Sequence, residues 1–254
     1  MHSYNSIKYS EISDGQYTAT IDLQCIPKSE ELRDFKTNIR ELTSDCDGDT
    51  SGIYKFDGNK LVYKSETLLP LEGCGNKPKV LMVFGNPAFH SAKNGMFFFS
   101  KAKNHSHGMW GKLQKANLIK PVRFSGDNLF LARKREAEER KRLISTGNGS
   151  DKFTIGMTTF YSFPTPVEGR FRDVQGVEKL FKPVLEDVII PFEVHRILNY
   201  AFSQDAILVF VQKSSYEAFK RHSDQSALFW PLMWKNSSGE YLYQKLKEAI
   251  AKSD

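Results

Sequence analysis

The sequence predicts an α/β protein in three layers, a parallel β-sheet between two helical layers, preceded by an N-terminal extension. Three observations lead there. The runs Lys79–Phe84, Phe153–Phe160 and Ala206–Val211 are apolar almost throughout rather than alternating, as strands buried on both faces are. Segments with helical periodicity separate them. Strands that alternate with helices favour parallel pairing, because each crossover has room for a helix.

Residues 1–78 read as an irregular extension packed on a domain that spans 79–254. Within it, Tyr17 to Leu23 alternates like a strand. Ser29 to Leu42 is helical, with Ser29 as N-cap and an acidic residue in the first turn. Ile53 to Lys64 reads as a hairpin, with Asp57-Gly58 as the turn. In the domain, the first apolar run ends at Gly85 and a loop follows over Asn86 to Lys93. Gly108 to Asn117 is helical. Residues 131–145 alternate clusters of Arg and Lys with Glu136, Glu138 and Glu139, the pattern of a solvated helix held by pairs four residues apart, or else of a phosphate-contacting arm. Gly147 to Ser150 breaks the chain before the second run. Helical segments follow at Val177 to Val188, Ile197 to Phe202, Ser214 to His222 and Tyr241 to Lys252, with a last apolar run at Ala227 to Trp234.

Composition narrows the function classes. The chain has 254 residues, enough for one α/β domain with extensions, and a formal charge of +6, a mild bias toward anionic partners. Cys25, Cys46 and Cys74 are odd in number and widely spaced, which argues against a disulfide framework or a four-cysteine metal cluster. No secretion signal or membrane-length apolar run is legible, so the default expectation is cytoplasmic, without a membrane partner. His105 and His107 lack ligands at suitable spacing, and neither a metal nor a cofactor is expected. A nuclease would need clustered carboxylates for Mg²⁺ near the strand ends, and the sequence places none there.

The informative segment begins with the first strand. Asn86 and Pro87 stand just past its end, followed by Ala88, Phe89, His90, Ser91, Lys93, Gly95 and Phe98, with Trp110 downstream. Ligands of parallel sheets bind at the carboxyl ends of strands, which is where this loop falls. Three later blocks keep the same order: Gly156 to Thr165, Ile207 to Phe219, and Asn236-Ser237-Ser238-Gly239 after Leu232-Met233-Trp234. Together these blocks, over roughly residues 79–250, resemble the uracil-DNA glycosylase superfamily, closest to its mismatch-specific uracil/thymine branch.

The resemblance implies a uracil-DNA glycosylase-like fold and a monofunctional glycosylase. Such an enzyme flips a modified or mispaired pyrimidine out of double-stranded DNA and hydrolyses its bond to deoxyribose. It implies a monomer that leaves an abasic site. Asn86 would hold the attacking water, with His90 assisting. Gly85, Pro87, Ala88, Phe89, Phe98 and Asn236 would form the base pocket, with Phe98 stacked on the base. Ser91, Lys93, Ser237, Ser238, Gly239 and Tyr241 would contact DNA. The sequence departs from the family at Ser237, which replaces a proline, and at Glu240, which stands at the apolar wedge position. Ala88 replaces the tyrosine by which strict uracil enzymes exclude C5 substituents. That change favours C5-substituted pyrimidines, with hypermodified cytosine of phage DNA as one candidate. Repair of uracil or thymine mismatches, and a non-catalytic DNA-binding module, are the alternatives.

Overall fold

The computed structural model describes residues 6–13, 16–26, 28–44, 52–70, 75–99, 107–125, 128–231 and 238–251. Two four-stranded sheets organise them. The first is antiparallel, in the order β1 (Ile7–Ser13), β2 (Gln16–Asp22), β4 (Lys60–Glu66), β3 (Tyr54–Asp57). The second has the order β6 (Thr154–Thr159), β5 (Lys79–Phe84), β7 (Ala206–Phe210), β8 (Leu228–Phe229), with every pair parallel. The helices are α1 (Ser29–Ser44), α2 (Phe89–Asn94), α3 (Gly108–Lys115), α4 (Leu129–Ser145), α5 (Asp173–Leu180), α6 (Ile190–Gln204), α7 (Lys213–His222) and α8 (Gly239–Ile250).

The parallel sheet is central because successive residues of its strands serve two cores. Leu81 and Val83 of β5 join Leu208 and Phe210 of β7 in one core, which takes in α1, α5, α6, α7 and the antiparallel sheet. Val80, Met82 and Phe84 join Ile155, Met157 and Val209 in the other, closed by Trp110 and Leu113 of α3, Ile144 of α4, and Leu242 and Leu246 of α8. Both faces are covered, so the strands can be apolar throughout.

The N-terminal region is more regular than its sequence suggests. Instead of an irregular extension it supplies an antiparallel sheet and a helix. Strand β1 escapes notice because a register shift between Ser10 and Ile12 breaks its alternation. The hairpin lies where expected, with Gly58 at φ 58°. Helix α1 starts one residue earlier than a Ser29 cap implies, since Leu32 already donates to the Lys28 carbonyl at 3.0 Å. Past β4, Leu68 and Met157 exchange backbone hydrogen bonds of 2.8 and 2.7 Å, an antiparallel bridge on the outer side of β6.

Elsewhere the reading changes in two places. The segment expected to be a loop over 86–93 carries α2. The stretch expected as helix over 177–188 is split, with α5 ending at Leu180 and a π-helical turn over Leu185–Ile189 running into α6. Among the described residues no helix is long and apolar enough to cross a membrane.

One carboxyl lies inside this frame. Glu66, at the end of β4, is 2% exposed, and its Oε2 has no hydrogen-bond partner. Burial pushes its pKa up from 4.5 to about 8, with Lys141 opposing the shift. The folded chain therefore keeps the proton over a range in which the unfolded chain releases it. Stability from this group is complete below pH 4.5 and is lost as pH rises toward about 8, by about 1.4 kcal/mol for each pH unit. Glu66→Gln removes that slope. Thermal melts of the two proteins should diverge between about pH 5 and pH 8, the variant melting higher; a constant difference across the range would show that Glu66 does not titrate in this way.

Candidate functional site

The chain crosses from β5 to β6 on one side and then returns to place β7 on the other. The gap between β5 and β7 is thus where the winding direction reverses, the position at which parallel sheets present ligand sites at their carboxyl ends. Gly85 and Gln212 follow those two strands and meet there. A Cβ on Gly85 would lie 2.0 Å from Gln212 Oε1 and 2.7 Å from Val174 Cγ2, so any larger residue there would have to displace both side chains. The Gly85 carbonyl accepts from Tyr161 N at 2.9 Å, which ties the loop after β5 to the loop after β6.

Asn86 is half-buried in this junction. Its Nδ2 donates to Thr165 Oγ1 at 2.7 Å, to Pro87 O at 3.2 Å and to Phe163 O at 3.3 Å. Carbonyl oxygens only accept, so the atom facing them must be the amide nitrogen, and this fixes the orientation of the side chain. The Thr165 hydroxyl donates in turn to Asp173 O at 3.1 Å. Thr165 N also donates to Pro87 O, and Phe89 N to Thr165 O, at 3.0 and 3.2 Å. The Asn86–Pro87 turn is therefore clamped along its length to the loop after β6.

That loop is held from behind. Glu193 of α6 is 2% exposed and accepts from Ser162 N at 2.7 Å and Ser162 Oγ at 2.6 Å. Arg196 pairs with Glu193 at 2.7 Å and donates to Thr158 Oγ1 at 2.8 Å and Phe160 O at 3.2 Å, and also to Thr159 O. The antiparallel sheet adds Tyr63, whose hydroxyl shares a 2.7 Å hydrogen bond with Ser162 Oγ, and Tyr54, which stacks on Phe163 at 5.0 Å and bonds Pro164 O. Burial raises the Tyr63 phenol well above its ordinary value, with the Glu193 charge adding to it, so it stays neutral.

The other sequence-predicted residues separate into groups. Ala88 is half-buried and caps α2 in an extended conformation, bridged to Thr165. Phe98 is half-buried with φ at 52°, which is rare for a bulky side chain and marks a constrained position. His107 stacks on its ring at 4.9 Å, while Phe84 and Trp110 meet it edge to face at 4.8 and 6.0 Å. His107 is thus part of an aromatic wall, while His105 lies outside the described residues. Its Nδ1 accepts from Met109 N at 3.2 Å, and partial desolvation lowers its pKa from the ordinary value.

Phe89 does not line the junction, because its side chain is 5% exposed in the core against Tyr54 at 5.7 Å. Ser91 is 4% exposed and so is not presented to a phosphate. His90 and Lys93 lie on α2, half-buried and exposed respectively. Ser238 caps α8 by accepting from Tyr241 N at 3.1 Å. Gly239 packs so closely on α3 that a Cβ would lie 2.6 Å from Lys112 O. Tyr241 is 48% exposed beside them. Asn236, Ser237 and Trp234 lie outside the described residues.

Thr165, Gln212 and His107 belong to this site but were not singled out among the sequence-predicted site residues. A signal existed for Gln212, since it directly follows the third buried strand. Among the described residues no group of three or more His, Cys, Asp or Glu side chains could hold a metal ion. A cavity of about 800 Å³ lies at the opposite, amino ends of β5 and β7, between Lys79, Ala206 and Leu228, away from the clamped turn. No protein-family profile matches the chain, and no curated protein matches it.

Proposed function

We propose that the protein is a monofunctional DNA glycosylase working at the carboxyl ends of β5 and β7. The observation that carries this reading is the clamped Asn86. With Nδ2 committed to Thr165 and Phe163, its Oδ1 is the end that can accept a hydrogen from a water. An amide is too weak a base to take a proton outright, so its contribution is to hold the water against the sugar. Loss of the base builds positive charge on deoxyribose, and a fixed carbonyl dipole favours that charge. Phe98 supplies the stacking wall. His107 stacks on its ring and backs the wall against which a flipped base would rest.

The substrate in this reading is double-stranded DNA bound by a monomer, with a uracil-DNA glycosylase-like site and no cofactor. Ala88 sets the breadth of the pocket. Its backbone is fixed by the Thr165 bridge and by α2, so a larger side chain there could not withdraw by moving the loop. A methyl group leaves room for C5-substituted pyrimidines, including the modified cytosines of phage DNA; a filled pocket excludes by clash. Release should therefore be measured from uracil DNA, thymine-guanine mismatches and hydroxymethylcytosine DNA. Ala88→Tyr is expected to abolish release of C5-substituted bases and to spare uracil. A parent that releases only uracil, or a variant with unchanged selectivity, refutes the open pocket. Absence of release from every DNA, with binding intact, would favour a non-catalytic DNA-binding module.

A further inference from the structure

Behind the Phe98 wall a second concavity opens, about 570 Å³, between α3 and α4. Its α3 side carries His107, Gly108, Gly111 and Gln114, and a Cβ at either glycine would meet nothing within 4 Å. Its α4 side carries Arg133, Glu136 and Arg140, spaced to share one helix face. The segment over 122–125 closes the third side. It is tied down by Arg140, which donates to Val122 O at 3.3 Å, and by Glu136, which accepts from Phe124 N at 3.4 Å.

Arginines predominate among the described charged residues of this cleft. Glu136 and Arg140 are 6% and 5% exposed and pair at 3.4 Å, and Arg133 approaches the same carboxylate at 3.8 Å. Arg123 adds a third guanidinium. Among the described lining residues three guanidinium groups accompany one carboxylate. Low-dielectric walls, here the buried Trp110, concentrate such a field. Guanidinium groups match phosphate oxygens in geometry as well as charge. Phe124, which lines the cleft, is 43% exposed. Arginines beside an exposed aromatic side chain form the combination by which proteins track a nucleic-acid strand.

We infer that this cleft holds a nucleotide of the bound DNA strand, its phosphate between Arg123 and Arg133 and its base or sugar against Phe124. The inference rests on the DNA-binding reading above. It deepens that reading, because His107 belongs both to the cleft and to the wall behind Phe98 and so links strand binding to the base pocket.

The test uses undamaged duplex and single-stranded oligonucleotides, so that it is independent of base release. Binding is measured by fluorescence anisotropy against salt for the parent, for Arg123→Gln/Arg133→Gln, and for a control, Lys8→Gln/Lys60→Gln, that removes two charges from the antiparallel sheet. The cleft variant is expected to lose about 10-fold in affinity at low salt and about one unit of log–log salt slope, with the control close to the parent. Equal slopes in the cleft variant and the parent overturn the proposal even if the enzyme releases bases. A lost slope in a protein that releases none supports the cleft and defeats only the glycosylase reading. Titration with inorganic phosphate separates the sources: phosphate binding abolished by the double variant without any change in oligonucleotide slope would make the cleft a small-anion site and overturn the strand proposal.

Discussion

Asn86→Ala is expected to slow single-turnover base release by about 100-fold or more while leaving the dissociation constant for DNA within a few-fold of the parent. The size follows from the geometry. Three acceptors hold Nδ2, so Oδ1 is aimed without cost at the moment of reaction, and alanine removes the aim altogether. Thr165→Val leaves the amide in place but takes away its closest anchor. It should cost roughly 10-fold in the chemical step, with Thr165→Ser restoring most of the loss. A change in melting temperature alone would not be repaired selectively in this way. Activity of Asn86→Ala near that of the parent would remove the residue from the mechanism.

Arg196→Met should destabilise the protein by about 3–5 kcal/mol, because it strands the buried Glu193 carboxylate without its cation. For a chain of this size that is a fall of roughly 10 °C in melting temperature. The acceptors of Thr158, Thr159 and Phe160 lose a donor in the same step. Since the loop after β6 carries Thr165, base release should fall as well, even at temperatures where the variant is folded. The double variant Arg196→Met/Glu193→Gln should regain much of the stability, since no charge is then left buried. A single variant as stable as the double would show that the pair is not what holds the loop.

The three buried strands were legible because strands covered on both faces carry few charged or strongly polar positions. Asn86 was singled out by the order of the blocks that follow it, at the point where the first of these strands stops. Its partners were not. Thr165 lies 79 residues away, and nothing local marks its hydroxyl as the anchor of an amide. Glu193 and Arg196 fell between the two helical segments read from the sequence, and only the fold shows Glu193 buried against Ser162 with Arg196 as its partner. The helical start at Phe89 was hidden by a cap, Ala88, whose side chain makes no capping hydrogen bond. Phe89 was assigned to the pocket and Ser91 to DNA contact by their place in the motif, whereas α2 turns both inward.

The bridge between Leu68 and Met157 has a consequence beyond packing. Strand β6 ends its sheet, and an end strand offers unpaired backbone groups to any other extended chain. The segment after β4 occupies that row at Met157, and α4 lies over the same strand. The segment after β4 thus covers part of a border that would otherwise be open to strand addition from another chain.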